Sequence, residues 1–366
     1  MTTPIGRSKL ELETPALCAE LTTMEANIKR MSDIIIRQNG KGWRPHTKGQ
    51  KIPAVAHLEM RAGAFGVTCA KLGEAEVMAG AGIRDILIAN QIVGASKVTR
   101  LAHLQHHADV IVAVDSIDNG REIDAAARKA GTRVRVLVEM NVGLNRAGVE
   151  PGAQAIDLAK RLHEMPGLKL SGFMAWEAHV LRLADAEKRQ AIQEAVGGKL
   201  VATADAARAQ GLPIDIVSCG GTGTYWITAT IPGVTEIQAG GGIFADVHYA
   251  EHYGLPEHGF AMTIVTTVTS RPTPTRIVVD AGWKAMSNNM GTPRPLAVEN
   301  VAKVSLSAEH GGIELSAPNT SLKVGDKVEW IAGYSDSTTF LHDEMYATRN
   351  GIVEQVWPVL GRGKLR

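Results

Sequence analysis

The chain of 366 residues is poor in cysteine, has no long apolar run and carries almost no net charge. Its three cysteines, Cys18, Cys69 and Cys219, are too few and too scattered for a disulfide framework or a CxxC metal site, so a reducing compartment is expected. No uninterrupted apolar stretch approaches the roughly 18 residues that span a bilayer, and the opening "MTTPIGRSKLELE" lacks the apolar core of a signal peptide. These absences point to a soluble cytoplasmic protein. Basic residues number 39 and acidic residues 38, and the only short run of one sign is the terminal "GRGKLR", read as a solvated tail. Neither nucleic acid nor an anionic membrane is expected as a partner.

What is present is alternation. Between about residues 20 and 255, eight short β-branched or apolar runs are separated by Ala-rich segments of helical spacing. The runs are "WRPHTK" (43–48), "FGVTCA" (65–70), "DILIAN" (85–90), "DVIVAVD" (109–115), "VRVLVEM" (134–140), "LKLSGFMAW" (168–176), "PIDIVS" (213–218) and "VTEIQA" (234–239). Eight such alternations predict a closed (β/α)8 barrel of the TIM type. From about 260 the texture changes to Thr/Val-rich strands divided by Gly, Pro and Asn turns, which predicts a second, mainly β domain.

A barrel of this kind does its chemistry at the C-terminal ends of its strands and often holds phosphate in the loops after the seventh and eighth. Both loops here are glycine clusters, "SCGGTGTY" (218–225) and "AGGG" (239–242), although either alone reads equally as a tight turn. Together they predict a phosphate-bearing ligand. The first strand ends at the same rim in "RPHTKGQKIP". Lys48 is read as its last residue, projecting into the mouth, whereas Lys51 is assigned to the first turn of the next helix, facing solvent. A desolvated lysine amine condenses with an aldehyde, and pyridoxal 5′-phosphate supplies both the aldehyde and the phosphate.

The motifs "TPALCAELTTMEANIKRM", "RPHTKGQKIP", "GVTCAKLGEAEVMAGAGIRDILIANQIVG", "VEMNVGLNRAGVEPG", "SCGGTGTY", "EIQAGGGIFAD", "VVDAGWKAMS" and "RNGIVEQVWPVLGRGK" run in order along nearly the whole chain. As a set they resemble the pyridoxal-phosphate enzymes of alanine racemase-like fold, in the branch of D-threonine aldolases, 3-hydroxyaspartate aldolases and D-serine dehydratases. The resemblance implies that Lys48 carries the cofactor and that Ser218, Gly220, Gly221, Thr222, Gly241 and Gly242 form its phosphate cup. It implies Arg146 near the cofactor's ring hydroxyl, Trp176 in place of a ring-side tyrosine, and His46 as a rim residue supporting the cofactor. It further implies a homodimer with shared active sites, and an N-terminal strand that joins the β domain. The expected divisions are 1–20 for that strand, 21–256 for the cofactor-binding barrel and 257–366 for the β domain.

Three departures from the family pattern stand out. Relatives carry H-x-D or H-x-C for a divalent cation where this chain has "GYSDSTTFLHDEM" (333–345), so Tyr334 replaces the histidine and Asp336 is kept. Tyr334, Asp336 and His342, with Asp343 nearby, are the candidate ligands for Mg²⁺ or Mn²⁺, the alternative being that they only hydrogen-bond. Gln50 replaces a histidine of the K-T-H-K pattern. The loop "MAWEAHVLR" has its own order, with His179 as candidate base for a β-hydroxyl and Glu177 as its orienter or competitor. The histidines of "HLQHH" (103–107) and "HYAEH" (248–252) are read as solvated helix faces. The activity expected is a lyase reaction on a small amino acid: retro-aldol cleavage of a D-β-hydroxy-α-amino acid to glycine and an aldehyde. The alternative is its dehydration to a 2-oxo acid and ammonia.

Overall fold

A computed structural model describes residues 3–255 and 257–366. Met1 and Thr2 of the expected N-terminal segment, and Pro256 at the expected domain boundary, lie outside the described residues. The chain forms two compact units. One takes in the described residues of Met1–Lys29 with Gly49–Ala54 and Gly241–Arg362; the other comprises Arg30–Lys48, Val55–Gly240 and Gly363–Arg366.

After β1 (Ala16–Glu20) come the eight strands of the second unit: β2 (Gly42–Trp43), β3 (Val67–Cys69), β4 (Asp85–Gln91), β5 (Asp109–Val114), β6 (Val134–Met140), β7 (Leu168–Ala175), β8 (Ile216–Cys219) and β9 (Glu236–Ile237). They pair in parallel in the order β2-β9-β8-β7-β6-β5-β4-β3. A parallel bridge between His46 and Thr68, flanked by bonds from Thr47 N to Thr68 O (2.7 Å) and from Thr68 N to Pro45 O (2.8 Å), joins β2 to β3 and closes the ring. All eight expected strands are therefore present, with the expected barrel. Their residues are buried almost without interruption, as they must be when both faces of a parallel sheet are covered. Leu87, Ile111, Ala113, Leu137, Met174 and Ile216 form one apolar cluster of this core.

The crossover helices bury one stripe each. Ala153–His163 buries Ala155, Ile156, Leu158, Ala159 and Leu162, the i, i+3, i+4 and i+7 spacing of an amphipathic helix, and ends in Lys160, Arg161 and His163, which suit the negative end of its dipole. Ile117–Lys129 starts at Ser116, whose hydroxyl accepts from Asp118 N.

The barrel also holds a buried charge network. Arg44, 1 % exposed, donates from Nε and Nη2 to the two oxygens of Glu236 (3.1 and 3.2 Å) and from Nη1 to Asp85 (2.5 Å), and its guanidinium stacks 4.4 Å from the Phe65 ring centroid. Charges this deep persist only when paired and hydrogen-bonded.

The first unit contains β10 (Met262–Thr273), β11 (Arg276–Val279), β12 (Arg294–Pro295), β13 (Val301–Leu306), β14 (Gly311–Leu315), β15 (Lys327–Ile331), β16 (Glu344–Arg349) and β17 (Ile352–Pro358). The sheet runs β13-β14-β11-β10-β1-β16-β17, with β15 also on β10 and β12 on β15. The strand β1 pairs antiparallel with β10 (Ala16 opposite Val265) and parallel with β16 (Cys18 opposite Tyr346). Leu12, Ala16, Cys18, Val265 and Val353 pack together around it. The N-terminal strand is thus a central strand of the β unit.

Replacing Arg44 by alanine is expected to destabilise the protein by about 3–5 kcal/mol, because Glu236 is left as an uncompensated buried charge. Urea unfolding measures this; a loss below about 1 kcal/mol would show that the network does not hold the barrel.

Candidate active site

The end of the first barrel strand is locked to the end of the last. Trp43 Nε1 donates to Ala239 O (2.8 Å) and His46 N to Gln238 O (3.0 Å). A Cβ on Gly240 would stand 2.3 Å from His46 O, so only glycine lets the two backbones come this close. Two residues beyond the His46 bridge lies Lys48, exposed, with its N–H donating to His46 Nδ1 (3.3 Å). It stands in a turn rather than at the end of a strand, but at the rim where the strands finish. The expectation for Lys51 does not hold. Lys51 is 5 % exposed, has a φ of 56° and accepts from Gly361 N (2.9 Å); the helix that follows begins only at Pro53.

The glycine loop after β8 is built from beneath. Glu177, fully buried, accepts from Gly220 N (3.3 Å), Thr224 Oγ1 (2.7 Å) and Thr228 Oγ1 (2.8 Å). Gly221 N donates to Thr224 Oγ1 (3.1 Å), and Thr224 N returns to Gly221 O (3.0 Å). The Trp176 indole lies so close that a Cβ on Gly221 would fall 2.2 Å from its Cη2. The result is a fixed turn of small residues, Gly220 to Thr222, whose Gly220 and Gly221 N–H groups are committed to Glu177 and Thr224. Glu177 is therefore a support of this loop, not the orienter of a base. Ser218 likewise looks inward: its hydroxyl donates to Glu236 (2.8 Å) and accepts from Gln238 Nε2 (2.9 Å).

On the neighbouring strands, Arg146 Nη2 lies 3.5 Å from Glu139 Oε1, and Gln91 Nε2 donates to Glu139 Oε2 (2.6 Å). Burial pushes the Glu139 carboxyl up from its ordinary range, while the Gln91 bond and the Arg146 charge oppose the shift. The helical turn Ala178–Val180 carries His179, whose Nε2 would be 2.7 Å from a Cβ on Gly143. Partial burial and the nearby Lys199 charge hold its imidazole below the usual histidine pKa, so it is neutral at pH 7 and able to accept a proton.

The remaining candidates belong to the unit that contains the β sheet. Gly241 begins a short helical turn, Gly241–Ile243, and Gly242 O accepts from His258 Nδ1 (2.7 Å). Tyr334 donates its hydroxyl to Asp336 Oδ2 (3.0 Å), and His342 Nε2 bonds to Ala285 O (2.7 Å). Among the described residues no three His, Cys, Asp or Glu side chains are gathered to hold a metal ion, and of the expected ligands Tyr334 and Asp336 hydrogen-bond to each other while His342 turns to a backbone carbonyl. The solvated reading of 248–252 is also corrected: His248 is 1 % exposed and bonds through Nε2 to Tyr253 Oη (2.9 Å). The histidines at 103, 106 and 107 are exposed as expected.

Comparison with known proteins agrees with this geometry. The family model described as "Alanine racemase, N-terminal domain" matches residues 20–247, and one described as "Putative serine dehydratase domain" matches 261–348. The chain belongs to the alanine racemase N-terminal-domain family. It is similar to a 3-hydroxy-D-aspartate aldolase of Paracoccus denitrificans (strain Pd 1222), with 35% identity over 98% of this chain and 94% of that one. It is also similar to a D-threonine aldolase of an Arthrobacter species, with 31% identity over 98% and 95%. The crystal structure of D-threonine aldolase from Filomicrobium marinum superposes with a TM-score of 0.94, at 34% identity and full coverage of both chains.

Within this family frame, the supporting acids Glu139 and Glu236 are what sequence reading misses, while Glu177 is named there in another role. The signal of the two is present: each is a single acid within an apolar strand, "VLVEM" and "VTEIQ", where burial demands a partner. Among the described residues no helix is long and apolar enough to cross a membrane.

Glu177→Ala removes the acceptor of three buried donors and is expected to cost about 3 kcal/mol or more, since each unsatisfied group costs about 1–3 kcal/mol. Glu177→Gln keeps one acceptor and should lose less. Chemical denaturation of both variants checks the order, and equal losses would refute the assignment.

Proposed function

We propose that this chain is a pyridoxal 5′-phosphate lyase that cleaves a D-configured β-hydroxy-α-amino acid to glycine and an aldehyde. The observation that carries this reading is likeness to aldolases along the entire chain, in the barrel and the β unit together. The residues at the barrel rim suit the cofactor. Lys48 is exposed on a locked backbone, and Gly220, Gly221 and Thr222 offer a turn of small residues in which a Cβ at 221 would strike the Trp176 indole. Arg146, aligned by Glu139, offers a cation for a ring hydroxyl. His46 and Trp176 line the same rim, and Ser218 serves from within the barrel by fixing Glu236 and Gln238.

Pyridoxal phosphate, when bound, acts as a sink for the electron pair released as Cα–Cβ breaks. The chain supplies the rest. Neutral His179 takes the proton of the β-hydroxyl, the oxygen's electrons form the aldehyde carbonyl as the carbon–carbon bond opens, and a proton delivered to Cα completes glycine. Fixed polar groups at the barrel mouth would orient the substrate and so choose which bond at Cα breaks. The same parts would serve dehydration if the Cα–H bond were chosen instead, with Lys48 removing that proton and the β-hydroxyl leaving as water.

A homodimer and a cytoplasmic location belong to the same proposal. Exposed Met290, Leu296 and Val301 on the β unit support the first, and three buried free thiols the second.

Borohydride reduction followed by peptide mapping should place the cofactor on Lys48, and Lys48→Ala should abolish the cofactor's visible absorbance; a label on Lys51 would overturn the assignment. With D-threonine and D-3-hydroxyaspartate, glycine plus aldehyde is the expected product pair, and ammonia plus 2-oxo acid would establish the dehydratase instead. His179→Asn should lower kcat by about 10²–10⁴-fold. Because the neutral imidazole is the active form and its pKa is lowered, activity should persist as pH falls through about 6.5, the ordinary histidine value, and be lost only below it. An acid limb unchanged in the variant would remove His179 from the mechanism.

A further inference from the structure

The family resemblance places a divalent cation at positions 334 and 336, and the side chains there are already committed to one another. Tyr334 donates its hydroxyl to Asp336 Oδ2 at 3.0 Å. The two groups form a short line that ends on a carboxylate. A phenol that keeps its proton is a poor ligand for Mg²⁺ or Mn²⁺, which prefer charged or strongly dipolar oxygens in octahedral array.

The line is also held rigidly. The Tyr334 ring meets His248 edge-on at 5.2 Å between centroids and Tyr249 at 5.7 Å. Ser335, between the two candidate ligands, is pinned by both its N–H and its hydroxyl to buried Asp246 Oδ2, each at 2.7 Å. The second Asp336 oxygen has no slack either: Oδ1 would lie 2.3 Å from a Cβ on Gly49, so it rests against bare backbone. His342, the third candidate, is turned to the Ala285 carbonyl. A cation entering here would have to displace the Tyr334 proton from Asp336 and recruit further ligands, since among the described residues no three His, Cys, Asp or Glu side chains are gathered.

We propose that this chain is a cation-independent member of its family, in which the Tyr334–Asp336 hydrogen bond occupies the place of the metal. A phenol fixed by such a bond can present its oxygen as an acceptor to a polar ligand atom without any ion. The consequence for activity rests on the aldolase reading; the consequence for metal binding does not.

The purified full-length holoenzyme is dialysed against Mn²⁺ and the retained metal is measured by mass spectrometry. Wild type and Asp336→Asn are expected to retain equally negligible amounts, whereas Tyr334→His, which restores an imidazole, should retain the ion. One equivalent in wild type that Asp336→Asn abolishes would overturn the proposal. In the cleavage assay, EDTA should leave kcat unchanged, and Tyr334→Phe should lower kcat by about 10-fold or more. Addition of Mn²⁺ should not restore it; loss with EDTA, or rescue by Mn²⁺, would overturn the proposal. If no D-β-hydroxy amino acid is turned over, the aldolase reading fails, while the dialysis result still decides the question of the metal.

Discussion

Arg44 is the constraint on which the barrel depends. Its guanidinium is almost entirely removed from water, and it remains charged only because Glu236 takes two of its donors and Asp85 a third. Those partners lie on the last strand of the ring and at the start of the third, so satisfying one buried cation joins segments 192 and 41 residues away from it. The same Glu236 receives the Ser218 hydroxyl, which in turn takes the Gln238 amide. Closure of the ring and the position of the rim above it are therefore one electrostatic problem with one solution.

From that closure the site follows by short covalent steps. Lys48 is two residues past the bridge that completes the ring, and the backbone before it is held by Ala239, Gln238 and Thr68. The glycine loop is shaped by an analogous device, a buried carboxylate that accepts three donors from one turn. Glu139 does for Arg146 what Glu177 does for the loop: a buried acid aligns a more exposed group. Candidate site residues on loops thus borrow precision from acids set in or beside the strands.

The β unit keeps one residue of the family pattern and changes its neighbour. Asp336 is retained, and its carboxylate accepts a hydrogen bond from the phenol of Tyr334, which stands where the pattern has histidine. The change extends beyond one position. Tyr249, Tyr253, Tyr334 and His248 form one aromatic group around it, and these are three of the five tyrosines in the chain. A single substitution read from sequence becomes, in three dimensions, a hydrogen-bonded phenol packed among aromatic rings.

Local pattern was enough to specify much of this protein. Alternating apolar runs and amphipathic stripes are properties of neighbouring residues, so the eight strands, the barrel and the change to β structure were legible directly from the chain. Lys48 and the glycine loop were legible too, because strand ends and glycine runs have positional meaning in a barrel. Partnership was not legible. That Lys51 turns inward, that Ser218 and Glu177 serve the scaffold, that His248 is buried among tyrosines and that His342 faces a backbone carbonyl all depend on groups distant in sequence. Sequence alone determined which segments form strands and where a lysine meets a rim, since those follow from short-range periodicity. Only the tertiary structure decided which polar groups satisfy one another, since a buried donor bonds to whatever acceptor the packing brings within reach.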